Sequence, residues 1–159
     1  MSEWNSEQYL KFKNQRTQPA IDLAKRIMEY QPKNVLDVGC GPGNSTAVLK
    51  KVFSKAHIIG IDNSENMIKK AEQTYSDMNF QLCDVNSELD KLGNYDIIFS
   101  NACLQWIPNH KKFIPNLIDK LNDGGVLAVQ IPMNSQETLF KIMDGVIKDP
   151  KWGFSSSNT

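Results

Sequence analysis

The sequence lacks a long apolar run and lacks an excess of charge of either sign. No stretch approaches the roughly 18 apolar residues that a membrane helix requires, and the first ten residues are polar rather than a basic start followed by an apolar segment. Since 18 basic residues balance 18 acidic ones, no overall field attracts a nucleic acid or an anionic membrane. We therefore expect a cytoplasmic protein whose partner is a small molecule.

Cysteine is also scarce, which limits two further kinds of site. The cysteines are Cys40, Cys83 and Cys103; they form no C-x-x-C pair, and each lies in or beside an apolar run. An odd number of thiols without paired spacing is not a disulfide framework and does not match a zinc site. We expect reduced, half-buried thiols and no bound metal.

What the sequence does contain is a regular alternation of short apolar runs and amphipathic stretches. The runs predict strands at 34–38, 57–61, 79–83, 95–100 and 126–131. The amphipathic stretches predict helices at 19–30, 45–53, 65–75, 112–121 and 135–148, with one or two loose turns at 85–92. Such alternation predicts an α/β fold with a doubly wound, mostly parallel sheet covered by helices on both faces. We expect a single domain over 1–159, with a disordered tail at 151–159.

Several boundaries depend on single residues. Pro19 is expected at the first helical position, and Ser64 is expected to cap the helix that follows it. Pro115 predicts that the ordered part of its helix starts late, and residues 122–125 are expected to end that helix. In the strand order 3-2-1-4-5, the apolar run 126–131 lies at an edge, which predicts dimerisation or association through that edge.

The strongest motif is a glycine-dense turn, VLDVGCGPGNST, that joins the first strand to the next helix. Glycines suit such a turn because backbone approaches a ligand closely and adopts φ values that a Cβ disfavours. We expect exposed N–H groups there to face an electron-rich ligand group. The spacing is G-x-G-x-G rather than the G-x-G-x-x-G of dinucleotide sites, which disfavours an NAD-dependent oxidoreductase. A purely structural turn is the alternative.

Acidic and amide side chains follow the next strands. Asp62 lies about twenty residues beyond the glycine turn, where an acid can accept both hydroxyls of a ribose. Asp84 can accept a hydrogen bond from an adenine amine. The alternatives are a helix cap for Asp62 and a turn residue for Asp84. Asn101 is a candidate for the amino acid part of a cofactor, and Trp106 either walls the pocket, where its ring would attract a sulfonium, or packs in the core.

Together, VLDVGCGPGNST, IIGIDNSENM, Asp84, DIIFSNACLQWI and LNDGGVLAVQIP resemble the class I S-adenosylmethionine-dependent methyltransferases, which have a Rossmann-like fold. Within that superfamily, Trp4, Tyr9, Phe12, NACLQW and LAVQIPMN are similar to trans-aconitate 2-methyltransferases. The resemblance implies that the sheet would have further strands and a substrate-cap region, which we expect to be missing from these 159 residues.

The resemblance implies a set of site residues. The glycine turn would hold the methionine part, and residues 1–18, around Arg16, would form a lid that closes over the cofactor. The residues assigned to S-adenosylmethionine are Arg16, Asp37, Gly39, Cys40, Gly41, Asn44, Asp62, Asn63, Met67, Asp84, Val85, Asn101 and Ala102. Gln105 and Trp106 are assigned to the substrate. Arg16 has two alternatives, contact with the methyl acceptor and a structural salt bridge.

The expected reaction is methyl transfer to a small carboxylate, trans-aconitate or a related polycarboxylate, giving a methyl ester. A carboxylate with a pKa near 4 is already ionised at neutral pH, so the reaction needs no general base. We accordingly assign no catalytic residue and expect the rate to come from positioning. The alternative is a core that binds S-adenosylmethionine or S-adenosylhomocysteine without turnover.

Overall fold

The structure is a computed structural model that describes residues 13–132 together with 146, 149 and 151, and side chains from residue 17 onward. Five parallel strands form one sheet in the order β3-β2-β1-β4-β5. The strands are β1 (Asn34–Val38), β2 (His57–Asp62), β3 (Asn79–Leu82), β4 (Tyr95–Asn101) and β5 (Leu121–Gln130). The predicted parallel sheet and its strand order are confirmed. Its carboxyl ends meet along one edge, where open α/β sheets bind ligands.

Helices connect the strands and cover both faces of the sheet. They are α1 (Lys13–Arg26), α2 (Asn44–Val52), α3 (Glu65–Thr74), α4 (Val85–Glu88) and α5 (His110–Ile118), with 3-10 turns at Leu89–Lys91 and Leu104–Trp106. Ser64 caps α3 as predicted, since its side chain accepts a hydrogen bond from the Met67 N–H. No helix in the described ranges is long and apolar enough to cross a membrane.

The core consists of two apolar clusters, one on each face of the sheet. Neighbouring residues of β1 point to opposite faces, so Val35 joins the cluster that includes Leu49 of α2, while Leu36 joins the cluster that includes Leu117 of α5. Ile97 and Ile98 of β4 divide in the same way. Because both faces are covered, the central strands are continuous apolar runs in the sequence.

Two proline expectations are wrong. Pro19 lies inside α1 rather than at its first turn, and Pro115 lies inside α5, which begins at His110. A helical proline loses one backbone hydrogen bond. In both helices the apolar face remains buried beside the proline, through Ala20 and Ala24 in α1 and through Ile114 and Leu117 in α5. Tertiary packing therefore overrides the local preference.

The boundary between α5 and β5 also differs from the prediction. The helix ends at Ile118, and β5 begins at Leu121, which pairs with Tyr95. The next pair is Ile97 with Val126, so the predicted turn 122–125 is a bulge within the strand. Gly124, with φ 74°, supplies the left-handed backbone that this bulge contains.

Several expectations stay predictions. β5 forms one edge of the sheet in the described part of the chain, but association through it is untested. The predicted helix 135–148 falls, apart from Val146, outside the described residues. The same is true of most of the lid segment 1–18 and of the tail 151–159.

Candidate functional site

The glycine turn lies between β1 and α2 and is packed closely by the protein's own side chains. Gly39, Gly41 and Gly43 have positive φ values of 73°, 54° and 89°. A Cβ on Gly39 would overlap Sγ and Cβ of Cys103, and a Cβ on Gly43 would lie 2.8 Å from the Phe80 and Tyr75 rings. Glycine is thus required here both by backbone conformation and by close packing.

The amides of this turn are engaged within the protein, which corrects the expectation that they are exposed. The N–H groups of Gly39 and Cys40 both donate to the Ile61 carbonyl oxygen, at 2.8 and 2.9 Å. Gly41 N–H donates to Asp62 Oδ2 at 2.9 Å, and Gly43 N–H donates to the Cys40 carbonyl oxygen at 3.0 Å. The turn is therefore fixed against the end of β2, and a ligand would meet other groups of the turn.

Asp37 fixes the start of α2 from beneath. Its carboxyl group is fully buried, and Oδ2 accepts hydrogen bonds from the hydroxyls of Ser45 and Thr46, each at 2.7 Å. Oδ1 has no partner within the described residues. Burial raises the pKa of Asp37 to about 6, although the two hydroxyl hydrogen bonds oppose the shift. This position suits a residue that shapes the turn.

Asp62 stands at the end of β2, directly beside the glycine turn. Besides the Gly41 amide on Oδ2, its Oδ1 accepts the Ser64 N–H at 2.9 Å. Burial raises the pKa of this carboxyl, and the backbone hydrogen bonds from Ser64, Gly41 and Asn63 oppose the shift. A carboxylate has about four acceptor positions, so these backbone amides leave it able to accept a further hydrogen bond from a ligand. Since Ser64 caps α3, the alternative that Asp62 itself is the cap is wrong.

The neighbouring predicted residues take simpler places. Asp84 caps α4, because its Oδ1 accepts the Asn86 N–H at 3.0 Å; this structural role is a helix cap rather than the turn residue given as its alternative. Met67 and Val85 are buried in the core, whereas Asn63 is exposed. The ends of β2 and β3 are joined, since Cys83 N–H donates to the Asp62 carbonyl oxygen at 2.9 Å.

The end of β4 closes the other side of the turn. Ser100 donates its hydroxyl to the Val38 carbonyl oxygen at 3.1 Å, which ties β4 to β1 just before Gly39. Ala102 follows with a φ of 53°, a left-handed conformation that alanine rarely adopts. Burial raises the pKa of the Cys103 thiol to about 12, and the charges of Asp62 and Asp37 add to the shift. Cys103 therefore stays protonated and packs against Gly39.

The two predicted substrate residues lie in the 3-10 turn after β4. Gln105 Nε2 donates to the Ala102 carbonyl oxygen at 2.9 Å. Trp106 is 69% exposed, so the alternative that it packs in the core is wrong. His110, to which the sequence gave no role, supports this turn through its Nε2, which lies 2.6 Å from the Leu104 carbonyl oxygen.

For two predicted site residues, Arg16 and Asn44, no described contact links the side chain to Asp62 or to the end of β4. Arg16 lies in α1, but its side chain is outside the described part of the chain. Asn44 accepts the Tyr75 hydroxyl at 3.1 Å and lines a groove of about 660 Å³ along α2, whose wall includes Lys50 and Lys51. Among the described residues, no group of three or more His, Cys, Asp or Glu could hold a metal ion.

Sequence reasoning missed three residues of this region. Ser45 and Thr46 hold Asp37, and a hydroxyl pair at a helix start after a strand acid was the available signal. Gln130 ends β5 beside Asn101, its register partner. A polar residue at the end of an apolar strand was its signal, but the register was needed to interpret it.

Comparisons with known proteins show which family this chain is similar to. Residues 31–150 match the family model described as a methyltransferase domain. The chain is 42% identical over 154 residues to a trans-aconitate 2-methyltransferase of Delftia acidovorans, covering 96% of this chain and 58% of the relative. It is 40% identical over 152 residues to the enzyme of that name from Rhodopseudomonas palustris, covering 96% and 59%. The chain thus spans somewhat less than three fifths of the length of these relatives.

A solved structure shows the same fold at lower sequence identity. The plantazolicin methyltransferase BpumL, crystallised with a desmethyl plantazolicin analogue and SAH, superimposes with a TM-score of 0.63 at 22% identity. The match covers 76% of this chain and 48% of that one. At this identity the likeness concerns the fold alone.

Proposed function

Because the chain belongs to the methyltransferase domain family, we propose that it binds S-adenosylmethionine and forms the cofactor-binding core of a methyltransferase. The observation that carries the proposal is the position of Asp62. Its carboxylate is held by backbone amides, among them those of Gly41 and Ser64, and keeps acceptor capacity for the hydroxyls of a ribose. This is the geometry expected at the second strand of an adenosine site.

The remaining assignments follow from the strand ends. The methionine part lies along the glycine turn and Asn101, and the adenine amine lies toward Asp84, whose Oδ1 is already engaged with Asn86. Segment 1–18 with Arg16 is proposed as the lid, and Gln105 and Trp106 face the methyl acceptor. We propose trans-aconitate or a related polycarboxylate as the acceptor, since the relatives at 42% and 40% identity carry that name.

The residues of this chain support a reaction by positioning. S-adenosylmethionine supplies, when bound, a methyl group on a positively charged sulfur. An ionised carboxylate can accept that methyl group without losing a proton. Among the described residues, Asp37 Oδ2 holds two hydroxyls, and burial raises the pKa of Cys103 to about 12. Both side chains are engaged in holding the glycine turn, and the proposed reaction relies on alignment and exclusion of water.

A second candidate is a core that binds the cofactor but turns nothing over. It is favoured by one observation, that the chain spans 58% of the length of its relative. A methyl-transfer assay with trans-aconitate, run beside a cofactor titration, separates the two. Binding of S-adenosylmethionine without formation of S-adenosylhomocysteine in the presence of trans-aconitate supports the second candidate.

The direct test is isothermal titration of the whole chain with S-adenosylhomocysteine, compared with the Asp62→Asn variant. An asparagine would set an NH2 group against one of the amides of Gly41 and Ser64, so we expect affinity to fall at least tenfold. Asp123→Asn makes the same chemical change at an exposed position in β5 and is the matched control. Equal affinity in the wild type and Asp62→Asn, or no binding by the wild type, would sink the proposal.

A further inference from the structure

Two carboxylates stand on the same side of the sheet beside the glycine turn. Asp37 is the register partner of Gly60, and Asp62 follows Gly60 by two residues, so both carboxyl side chains lie on one face of the sheet. Asp62 is bound to the turn through the Gly41 amide. Asp37 lies beneath the start of α2, which it holds through two hydroxyl hydrogen bonds. We refer to Asp37 and Asp62 as the carboxylate pair.

The carboxylate pair has no countercharge in the described part of the chain. Asp37 is fully buried, and its Oδ1 has no partner there. Burial, and to a lesser degree the charge of Asp62, raises the pKa of Asp37 to about 6. No lysine, arginine or histidine among the described residues contributes to the pKa of either carboxyl group. Because buried charges are normally paired, the carboxylate pair favours a cation as the ligand of this site.

The field of the carboxylate pair extends across the turn to the end of β4. Burial and the charges of Asp37 and Asp62 raise the pKa of the Cys40 thiol within the turn. At the end of β4, burial and the same two charges raise the pKa of Cys103 to about 12. Cys103 packs against Gly39, so a ligand that lies on this turn experiences the same field. Both thiols stay neutral, which leaves the carboxylate pair as the source of charge among these groups.

The proposed cofactor and its product differ in charge at one atom. S-adenosylmethionine carries a sulfonium besides its ammonium and carboxylate groups, so its net charge is positive. S-adenosylhomocysteine has a thioether in place of the sulfonium and is neutral overall. A buried negative charge attracts a cation more strongly than the same charge does in water, because the effective dielectric constant is lower. The carboxylate pair therefore stabilises the bound sulfonium, whereas the thioether gains little from it.

We propose that the carboxylate pair makes the site selective for S-adenosylmethionine over S-adenosylhomocysteine, with Asp37 as the residue that sets this preference. The inference rests on the proposed function and adds a specificity-determining residue to it. Asp37 acts through its charge and not through contact, since its carboxyl group has no exposed surface. A bound sulfonium favours the ionised form of Asp37, so binding releases the Asp37 proton to solvent where that group is still protonated. Once the methyl group has left, the attraction is lost, which eases release of the product.

The pH dependence of this preference has a definite sign. With a pKa of about 6, Asp37 is mostly protonated at pH 5 and mostly ionised at pH 7. The preference for S-adenosylmethionine should thus be weak at pH 5 and strong at pH 7. Asp62, whose pKa burial also raises, acts in the same direction. Both ligands contain the same ribose, so the hydrogen bonds that Asp62 makes to it cancel in the ratio of the two affinities.

The test is isothermal titration of the whole chain with each ligand at pH 5 and pH 7. We expect the ratio of the two dissociation constants to move toward S-adenosylmethionine by about fivefold between pH 5 and pH 7. Asp37→Asn keeps an acceptor for the two hydroxyls but carries no charge, so its ratio should change by less than about twofold. Asp123→Asn removes an exposed carboxylate from β5 and should keep the wild-type change.

A second measurement needs no variant and serves if Asp37→Asn does not fold. At pH 6, titrations in buffers of different ionisation enthalpy count the protons released on binding. The wild type should release more protons with S-adenosylmethionine than with S-adenosylhomocysteine. If Asp37 only shaped the turn, its protonation would affect both ligands alike, and neither the ratio of affinities nor the difference in proton release would appear.

The outcomes separate this inference from the proposed function. A ratio of affinities that does not change between pH 5 and pH 7, equal proton release with the two ligands, or a wild-type pH dependence in folded Asp37→Asn would overturn the role of Asp37. In each of these cases the cofactor still binds and the proposed function stands. If the wild type binds neither ligand, the proposed function fails and this inference fails with it.

Discussion

The two halves of the strand-end site differ in how their polar groups are satisfied. In the loop half, Gly39, Cys40, Gly41 and Gly43 all donate their amides to other groups of the protein. In the amide half, around Ala102, three buried side-chain oxygens lack partners within the described residues: Asn101 Oδ1, Gln105 Oε1 and Gln130 Oε1. Groups satisfied by the protein hold one geometry whether or not a ligand is present. The loop half is therefore preformed, whereas the amide half contains buried oxygen atoms that no described group of the protein satisfies.

The largest loss of stability that tests this comparison is expected on substitution of Gly39. Gly39→Ala combines a left-handed conformation, which costs about 1–2 kcal/mol for alanine, with overlap against Cys103, which costs about 1–3 kcal/mol as overpacking. The overlap involves the Cys103 Cβ as well as Sγ, so rotating the thiol cannot relieve it. We expect the free energy of unfolding to fall by about 2–5 kcal/mol in urea denaturation.

Gly124→Ala is the control for this substitution. Gly124 has nearly the same φ, 74° against 73°, but no atom lies within 4 Å of the added Cβ. It should lose only the conformational cost of about 1–2 kcal/mol. Equal losses at Gly39 and Gly124 would show that close packing does not fix the turn.

A smaller effect, with a definite pH dependence, is expected at Asp37. Burial raises its pKa from 3.8 to about 6, so the folded state binds this proton more tightly than the unfolded state. Its contribution favours folding fully below about pH 4 and is lost as the pH rises through 6. A difference of about two units corresponds to about 3 kcal/mol. Asp37→Asn should remove this loss while keeping an acceptor for Ser45 and Thr46.

Asp96 supplies the opposite sign as a control. Its carboxylate accepts hydrogen bonds from Asn122 and from the amides of Asn34 and Lys33, which lower its pKa. Its contribution is present above the unfolded pKa and lost as the pH falls. The free energy of unfolding, measured by urea denaturation at each pH from 4 to 7, should therefore change less with pH for Asp37→Asn than for the wild type. For Asp96→Asn, its change with pH above pH 5 should equal that of the wild type. A wild-type slope in Asp37→Asn would contradict the burial argument.

Sequence reasoning succeeded where a signal is local and failed where it depends on a partner far along the chain. The five strands, the Ser64 cap and the position of Asp62 beside the turn could be predicted from nearby residues. The hydrogen bonds of the Gly39 and Cys40 amides could not be predicted, because their acceptor, the Ile61 carbonyl oxygen, is set by the pairing of β1 with β2.

The same limit explains Gln130 and the early start of β5. The partner of Gln130 is Asn101 only because a bulge at 122–125 shifts the register between β4 and β5. Without that bulge the two amides would not be neighbours. The amide half thus depends on the register between β4 and β5, whereas most residues of the loop half belong to one continuous sequence motif.

The smallest change in stability is expected at Ala102, and it tests whether the amide half differs from the loop half. Ala102→Gly removes the side chain from a residue at φ 53°, which relieves about 1–2 kcal/mol of backbone strain. Glycine also gives the unfolded chain more conformational entropy, which lowers the free energy of unfolding by about 0.5–1 kcal/mol. The variant should be as stable as the wild type or more stable by up to about 1.5 kcal/mol. Ala128→Gly, in the buried part of β5, should instead lose stability. If Ala102→Gly also destabilises the fold, Ala102 is held by packing like Gly39, and the two halves do not differ as argued.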